Sequence, residues 1–305
     1  MVDPRMLNPD LADRYLRRLG LPRPAAPTAD ALAALHRAHV ERVPYEDLEI
    51  QLGRPTTVDP VESAERIVRG RGGYCFHLNG AFSALLQALG FDATRHVAGV
   101  QRQVDPEPVG AAGNHMALTV RTAEGAWLAD VGLGDGLYEP LPLRTGTHRQ
   151  GALRFGMAPS AVVPGGWRLE HDPQGSFRGM EFSPVPAGPE DFVREHVRLS
   201  TSPESSFVQV FCTMRRGADG FEALRGCLLV QVGAAGREDR EVTDEQEWFG
   251  LLTGHFGLDL SDVPAERRAA LWQQVHGAHL AWRAAEAAKT AAEAAAEPEP
   301  EAAGA

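Results

Sequence analysis

Three residues in this chain have the types and spacing that nucleophilic catalysis requires: Cys75, His115 and Asp130. Cys75 follows Arg71-Gly72-Gly73-Tyr74 and opens a segment whose apolar residues, Leu78, Phe82, Leu85, Leu86 and Leu89, recur at helical spacing until Gly90. The thiol therefore falls in the first turn of a helix, where unpaired N–H groups and the helix dipole favour an anion. The thiolate is the reactive form of cysteine. A cysteine nucleophile also needs a base beside it and a third group to orient that base.

A strand pair offers both. His115 heads the apolar run Met116 to Val120, Asp130 lies near the end of 126–131, and Thr122-Ala123-Glu124-Gly125 supplies a turn. If Thr122 stands opposite Gly125, His115 and Asp130 take diagonal positions on one sheet face. Their Cα atoms would then be ~7–8 Å apart, within reach of an imidazole–carboxylate bond. A three-residue loop would flip that relation unless a bulge restored it. Each residue also has a structural reading: an inert helix-start cysteine, a satisfied strand histidine, an aspartate that forms a turn. The other histidines read as structural, and Cys212 and Cys227 as buried, inert strand residues.

The elements that must position these groups follow from the pattern. Residues 1–90 read as helical, with helices over 11–19, from Asp30 to Pro44, over 62–69, and from Cys75. In the second, Leu32, Leu35, His36 and His39 share one side. After Gly90 short strands take over, clearest at 94–100, 116–121, 126–131, 167–171 and 178–182. The stretch 102–114, rich in Pro and Gly, reads as a mobile surface loop. A helix at about 189–197 precedes strands at 207–215, 226–232 and around Glu241, then helices over 244–256 and from Pro264. The Ala/Glu-rich tract 285–305 reads as a fraying helix and disordered tail.

Composition excludes several functions. The 305 residues contain one lysine, Lys289, so neither a Walker A loop nor a Schiff-base site is expected. Three cysteines without Cys-x-x-Cys spacing give no disulfide framework and no zinc site, and no metal is expected. A net charge of −11 argues against non-specific nucleic-acid binding. An anionic ligand would need a local basic pocket, for which Arg71, Arg102, Arg215 and Arg216 are candidates. No apolar run is long enough to span a membrane, and the first residues lack a leader-like apolar core, so a cytoplasmic location is the expectation.

The three segments Arg-Gly-Gly-Tyr-Cys-Phe, Gly-Asn-His-Met and Leu-Ala-Asp-Val-Gly-Leu-Gly-Asp together resemble the arylamine N-acetyltransferase family, as does the order Cys, His, Asp. Val43-Pro44-Tyr45-Glu46-Asp47-Leu48 resembles its Pro-Phe-Glu-Asn-Leu signature, and 199–207 its Ser-Thr-Ser-Pro segment; the likeness covers roughly residues 10–280. It implies an α+β fold with a papain-like or transglutaminase-like catalytic core. The parts would be a helical domain (1–90) with Cys75, a β-barrel domain (91–188) with His115 and Asp130, and an α/β lid (189–284). It further implies ping-pong transfer of acetyl from acetyl-CoA, through a Cys75 thioester, to the nitrogen of an arylamine or arylhydrazine, or to the oxygen of an N-hydroxyarylamine.

In that reading acetyl-CoA is a co-substrate, no cofactor is permanently bound, and Gly132-Leu133-Gly134 resembles the family's glycine loop near the cofactor phosphates. The protein would be a monomer or homodimer. Arg71 would pair with Glu46 as a structural support. The sequence departs from the family pattern at His77, where glutamate is common, at Leu133, where an aromatic is common, and at the inserted Asn114. Competing readings are an amide synthase releasing a polyketide chain as a macrolactam, a thiol hydrolase or transglutaminase-like protein, and a scaffold that kept the fold.

Overall fold

The computed structural model describes residues 6–296. Helices α1 (Pro9–Arg18) and α2 (Ala29–Arg42) open the chain, followed by a two-residue strand β1 (Tyr45–Glu46) and the short α3 (Leu48–Gln51). Helices α4 (Pro60–Val68) and α5 (Cys75–Ala88) complete the first part. Side-chain caps start three of these helices: Asn8 accepts from the Leu11 N–H, Thr28 from Ala31, and Asp59 from Val61 and Glu62. No side chain caps α5, which leaves its first N–H groups without a competing acceptor from Tyr74. The sequence pattern gives α5 one apolar stripe, yet every residue from Cys75 to Leu86 is buried. Its polar positions, His77, Asn79 and Ser83, are inside the molecule, so their hydrogen bonds must be found there.

Eight antiparallel strands follow: β2 (Asp92–Arg102), β3 (His115–Thr122), β4 (Gly125–Leu128) and β5 (Leu141–Pro142), then β6 (Gly146–Gln150), β7 (Leu153–Pro159), β8 (Trp167–Glu170) and β9 (Phe177–Pro186). They form one sheet in the order β5-β4-β3-β2-β9-β8-β7-β6, curled into a nearly closed barrel around Ala98, Leu128, Phe155, Leu169, Met180 and Phe182. Strands β3 and β4 pair with Thr122 opposite Gly125, the two-residue connection on which the His115–Asp130 argument depends. Strand β4 stops at Leu128, short of the 126–131 expectation, because Asp130 leaves the ladder to bind other partners. The 102–114 segment folds back on β2. A Cβ on Gly99 would lie 2.1 Å from the Gly110 carbonyl oxygen, so only glycine permits this approach.

A 3₁₀ turn (Pro189–Phe192) runs into α6 (Val193–Thr201), and α7 (Ser206–Gln209) precedes β10 (Cys212–Arg216). The strand expected at 207–215 therefore begins only at Cys212. Ser205 caps a helical turn at the Phe207 N–H, and its apolar residues mimic a strand pattern. β10 pairs with β1, and β11 (Phe221–Arg225), β12 (Leu228–Gly233) and β13 (Gly236–Glu241) extend the sheet as β1-β10-β11-β12-β13. α8 (Glu245–Gly250) passes into a π-turn (Leu251–His255), and α9 (Ala265–Ala296) ends the described chain. The tract expected to fray from 285 is helical to Ala296; the remainder of the proposed tail lies outside the described residues.

Arg216 fastens the second sheet to the barrel. Its guanidinium is 1% exposed and donates to the carbonyls of Gly136 (2.9 Å), Gln150 (2.8 Å), Gly220 (2.6 Å) and Gly217. Burial lowers its pKa to about 10. Replacing Arg216 by Leu strips partners from four carbonyls and should cost about 3 kcal/mol in a urea unfolding series. An unchanged midpoint would mean that water replaces the guanidinium without loss.

Candidate active site

Cys75 is the first residue of α5, held there by the backbone before it. Gly72 donates its N–H to Glu46 Oε1 (3.0 Å) and Glu46 Oε2 accepts from Leu48 N–H (2.5 Å), so this buried carboxyl clasps the Gly72 turn to β1. The expected Arg71–Glu46 pair does not form: Arg71 reaches Asp262 and lies 3.7 Å from Glu49. Backbone donors already fill Glu46, which leaves the guanidinium to find carboxylates elsewhere. Tyr74 donates its hydroxyl to His196 Nδ1 (2.5 Å), and His196 Nε2–H donates to the Thr56 carbonyl (2.7 Å).

His115 begins β3 beside the thiol. Its Nε2–H donates to Asp130 Oδ2 at 2.7 Å, and the imidazole lines the same cleft as Cys75. Cys75 Sγ lies 3.8 Å from the Asn114 carbonyl oxygen. Burial alone would lower the His115 pKa; the Asp130 carboxylate and Cys75 outweigh it and raise the value to about 10. Asp130 is 1% exposed, and Oδ1 accepts from the Gly132 N–H (2.9 Å) and from Asn79 Nδ2 (2.7 Å). His36 sits behind, its ring nitrogens 3.0 Å from the Tyr138 carbonyl and 3.2 Å from that of Asp130; burial lowers its pKa to about 4.

The sequence reading missed Asn79. It stands four residues after Cys75, on the same helix face. Besides Asp130 it donates to the Met116 carbonyl (2.6 Å) and accepts from the Val131 N–H (2.9 Å). The available signal was an amide four residues after Cys75, on the helix face that carries the thiol. Asn114 also gains a role: its side chain accepts from the Val100 N–H (2.8 Å) and donates to the Val100 carbonyl (3.3 Å). It thereby extends the β2 edge beside His115 as a strand residue would.

Cys75 and His115 open onto a cleft of about 690 Å³. Its apolar wall includes Tyr45, Val100, Phe177, Leu199, Phe207 and Met214, from both sheets and the α6–α7 segment. Gly132 and Leu133 line it; Gly134, with positive φ, packs against Met214 and Tyr45 of the cleft wall. A Cβ on Gly132 would lie 2.8 Å from the Cys75 Cα, so the loop packs directly on Cys75. Of the four arginines offered as a basic pocket, only Arg102 lines this cleft, paired with Asp105 at 2.7 Å. Arg215 pairs with Glu222 and Arg216 is spent on carbonyls. His77, the departure beside Cys75, is buried with neither ring nitrogen hydrogen-bonded. Among the described residues no cluster of His, Cys, Asp and Glu could hold a metal, and no helix is long and apolar enough to cross a membrane.

A family model described as N-acetyltransferase matches residues 28–264. An arylamine N-acetyltransferase from Mycolicibacterium smegmatis is 29% identical over 263 residues, spanning 82% of this chain and 92% of its own. The solved structure of Mycobacterium marinum arylamine N-acetyltransferase in complex with CoA superposes with a TM-score of 0.78 at 27% identity. That match covers 88% of this chain and 99% of the other. Proansamycin X synthase from Amycolatopsis mediterranei is 33% identical over 149 residues, 47% of this chain and 56% of its own.

Two measurements test this geometry. Asn79→Ala leaves the Asp130 oxygen, the Val131 N–H and the Met116 carbonyl short of partners, and should lower stability by about 3 kcal/mol. The His115 imidazole should stay protonated in NMR titrations from pH 6 to about 9, with its pKa falling in Asp130→Asn. A titration near the ordinary 6.5 in the unaltered protein would remove the ion-pair reading.

Proposed function

Because the chain belongs to the arylamine N-acetyltransferase family, we propose that it carries acetyl groups from acetyl-CoA to aromatic amines through a thioester on Cys75. The observation that carries this reading is the buried relay Cys75–His115–Asp130 opening onto an apolar cleft. Cys75 Sγ attacks the acetyl-CoA carbonyl carbon, the C–S bond to CoA breaks, and His115 gives its proton to the departing CoA sulfur. The imidazole, now neutral, is the base for the second half: an amine nitrogen attacks the acetyl-Cys75 carbonyl and His115 takes its proton. The amide leaves and the Cys75–His115 pair is restored. Asp130 holds the ring with Nε2 engaged, so the nitrogen left to face the sulfur is Nδ1.

The N–H groups at the uncapped start of α5 are the available donors for the tetrahedral oxyanion. The loop Gly132-Leu133-Gly134 is assigned to acetyl-CoA, near its phosphates by its resemblance to the family's glycine loop, and Gly132 packs on Cys75. The apolar wall suits an aromatic acceptor, with Leu133 leaving more room than an aromatic side chain would. The three-part division 1–90, 91–188 and 189–284, with a papain-like core and cytoplasmic location, belongs to the same proposal.

A second reading rests on the likeness to proansamycin X synthase: amide formation from a carrier-bound thioester, using the same three residues. Incubation with acetyl-CoA alone, followed by intact-mass spectrometry, separates them. One acetyl adduct on Cys75, absent in Cys75→Ala, is expected, and Asp130→Asn should lower kcat/KM by about 10³–10⁴. No adduct, with no CoA release when an arylamine is added, transfers the assignment to the amide synthase.

A further inference from the structure

Behind the cleft wall lies a second buried carboxylate, Asp135, which is 0% exposed and directly follows the Gly132-Leu133-Gly134 loop. Its Oδ2 accepts from the Ser176 N–H (2.5 Å) and its Oδ1 from the Ser176 hydroxyl (3.0 Å). Ser176 and Phe177 line the cleft, as do Gly132 and Leu133. Asp135 and Ser176, 41 residues apart in the chain, therefore join two stretches of the cleft wall.

His171 completes a pair with Asp135. Its Nε2 lies 3.7 Å from Asp135 Oδ1 and 3.2 Å from the Asp135 carbonyl, and its Nδ1 lies 3.1 Å from the Asp172 carbonyl. Carbonyl oxygens only accept, so both ring nitrogens must carry protons to make both bonds. Burial lowers the His171 pKa; the Asp135 carboxylate and the two carbonyls outweigh it and raise the value. His36 also sits between two carbonyls, but no carboxylate among the described residues pairs with its ring, and burial prevails. Arg216 adds positive charge near Asp135, and the Asp172 carboxylate is occupied by the Arg154 and Gln174 N–H groups. The His171 ring meets that of Phe177 edge-on at 4.3 Å. A Cβ on Gly175 would lie 2.1 Å from the imidazole, so this turn closes directly over the ring. The Gly175 carbonyl in turn accepts from Gln103 (3.0 Å), another residue of the cleft.

A buried ion pair is weak evidence for stability, so the placement of this one between cleft segments points to position rather than strength. We propose that Asp135 is a positioning residue for the aromatic acceptor. Through Ser176 and His171 it fixes the spacing between the Gly132-Leu133 loop and Phe177, and with it the slot that takes the acceptor ring. Leu133 and Phe177 share one apolar cluster with Cys212 and Met214, so a shift of either reshapes that slot. The acceptor's identity as an aromatic amine rests on the acetyl-transfer reading above. The hydrogen bonds of Asp135 itself go to Ser176 and His171, not to Cys75 or His115.

The probe amine is aniline. Intact-mass kinetics follow acetylation of Cys75 by acetyl-CoA, steady-state rates give KM for the amine, and calorimetry gives its Kd without acetyl-CoA. In Asp135→Asn, acetylation should stay within about twofold while KM and Kd for the amine rise about tenfold. Ser176→Ala keeps the N–H to Asp135 and loses only the hydroxyl, so it should fold and shift both constants the same way by less. In NMR titrations His171 should hold its proton above the ordinary range in the unaltered protein and release it at lower pH in Asp135→Asn. No binding of the amine by the unaltered protein overturns the proposal, as do unchanged KM and Kd in the variants. Equal losses in acetylation and in amine binding also overturn it, because Asp135 then only supports the fold. No acetyl adduct in the unaltered protein defeats the acetyl-transfer reading alone, since the calorimetric comparison still decides whether Asp135 shapes the slot.

Discussion

The Asp130 carboxylate is satisfied by donors from three segments: Asn79 of α5, His115 of β3, and the Gly132 N–H just beyond its own position. A carboxylate this deeply buried is tolerated only when its charge is paired and its lone pairs are used. The helix that carries the thiol and the strand that carries the imidazole therefore cannot shift apart without stranding a charge. Asn79 adds backbone contacts on both sides, to Met116 of β3 and to Val131. One polar cluster thus sets the distance between helix and barrel and the orientation of the imidazole.

The approach to Cys75 follows the same logic with backbone groups. Glu46 closes the Gly72 turn, and the Gly132 loop lies so close to the Cys75 Cα that any side chain there forces a displacement. Such contacts leave little freedom at Cys75. His77 is the exception: a buried imidazole 4.5 Å from the Tyr74 ring, with both nitrogens unpartnered and a pKa that burial pushes well below the ordinary value. It contributes packing, at the expense of two unmet hydrogen bonds.

The juxtaposition of His115 and Asp130 was legible in the sequence because a two-residue turn fixes register, and register fixes which side chains share a face. Cys75 was legible because glycines and an apolar period bracket it. What stayed hidden were partners far apart in the chain. Arg71 meets Asp262 rather than Glu46, since Glu46 is already filled by the Gly72 and Leu48 N–H groups. Residues 207–209 look like strand from their apolar content, but Ser205 caps a helical turn there, so β10 starts later. Strands β5, β6, β7 and β11 escaped because their registers depend on neighbours that the sequence does not name.

Cys75 and Cys212 both line the cleft, yet their surroundings differ. Cys212 sits in β10 with Asp47, which accepts its backbone N–H at 2.9 Å; burial first, then that carboxyl, pushes its thiol up to about 12. Cys75 faces an imidazole that Asp130 keeps protonated. A carboxyl opposes negative charge on the Cys212 sulfur, whereas the group facing Cys75 is a cation. Exposure to the cleft therefore does not distinguish the two thiols. The Asp130 carboxylate does, acting through His115, by deciding the charge that the Cys75 sulfur meets.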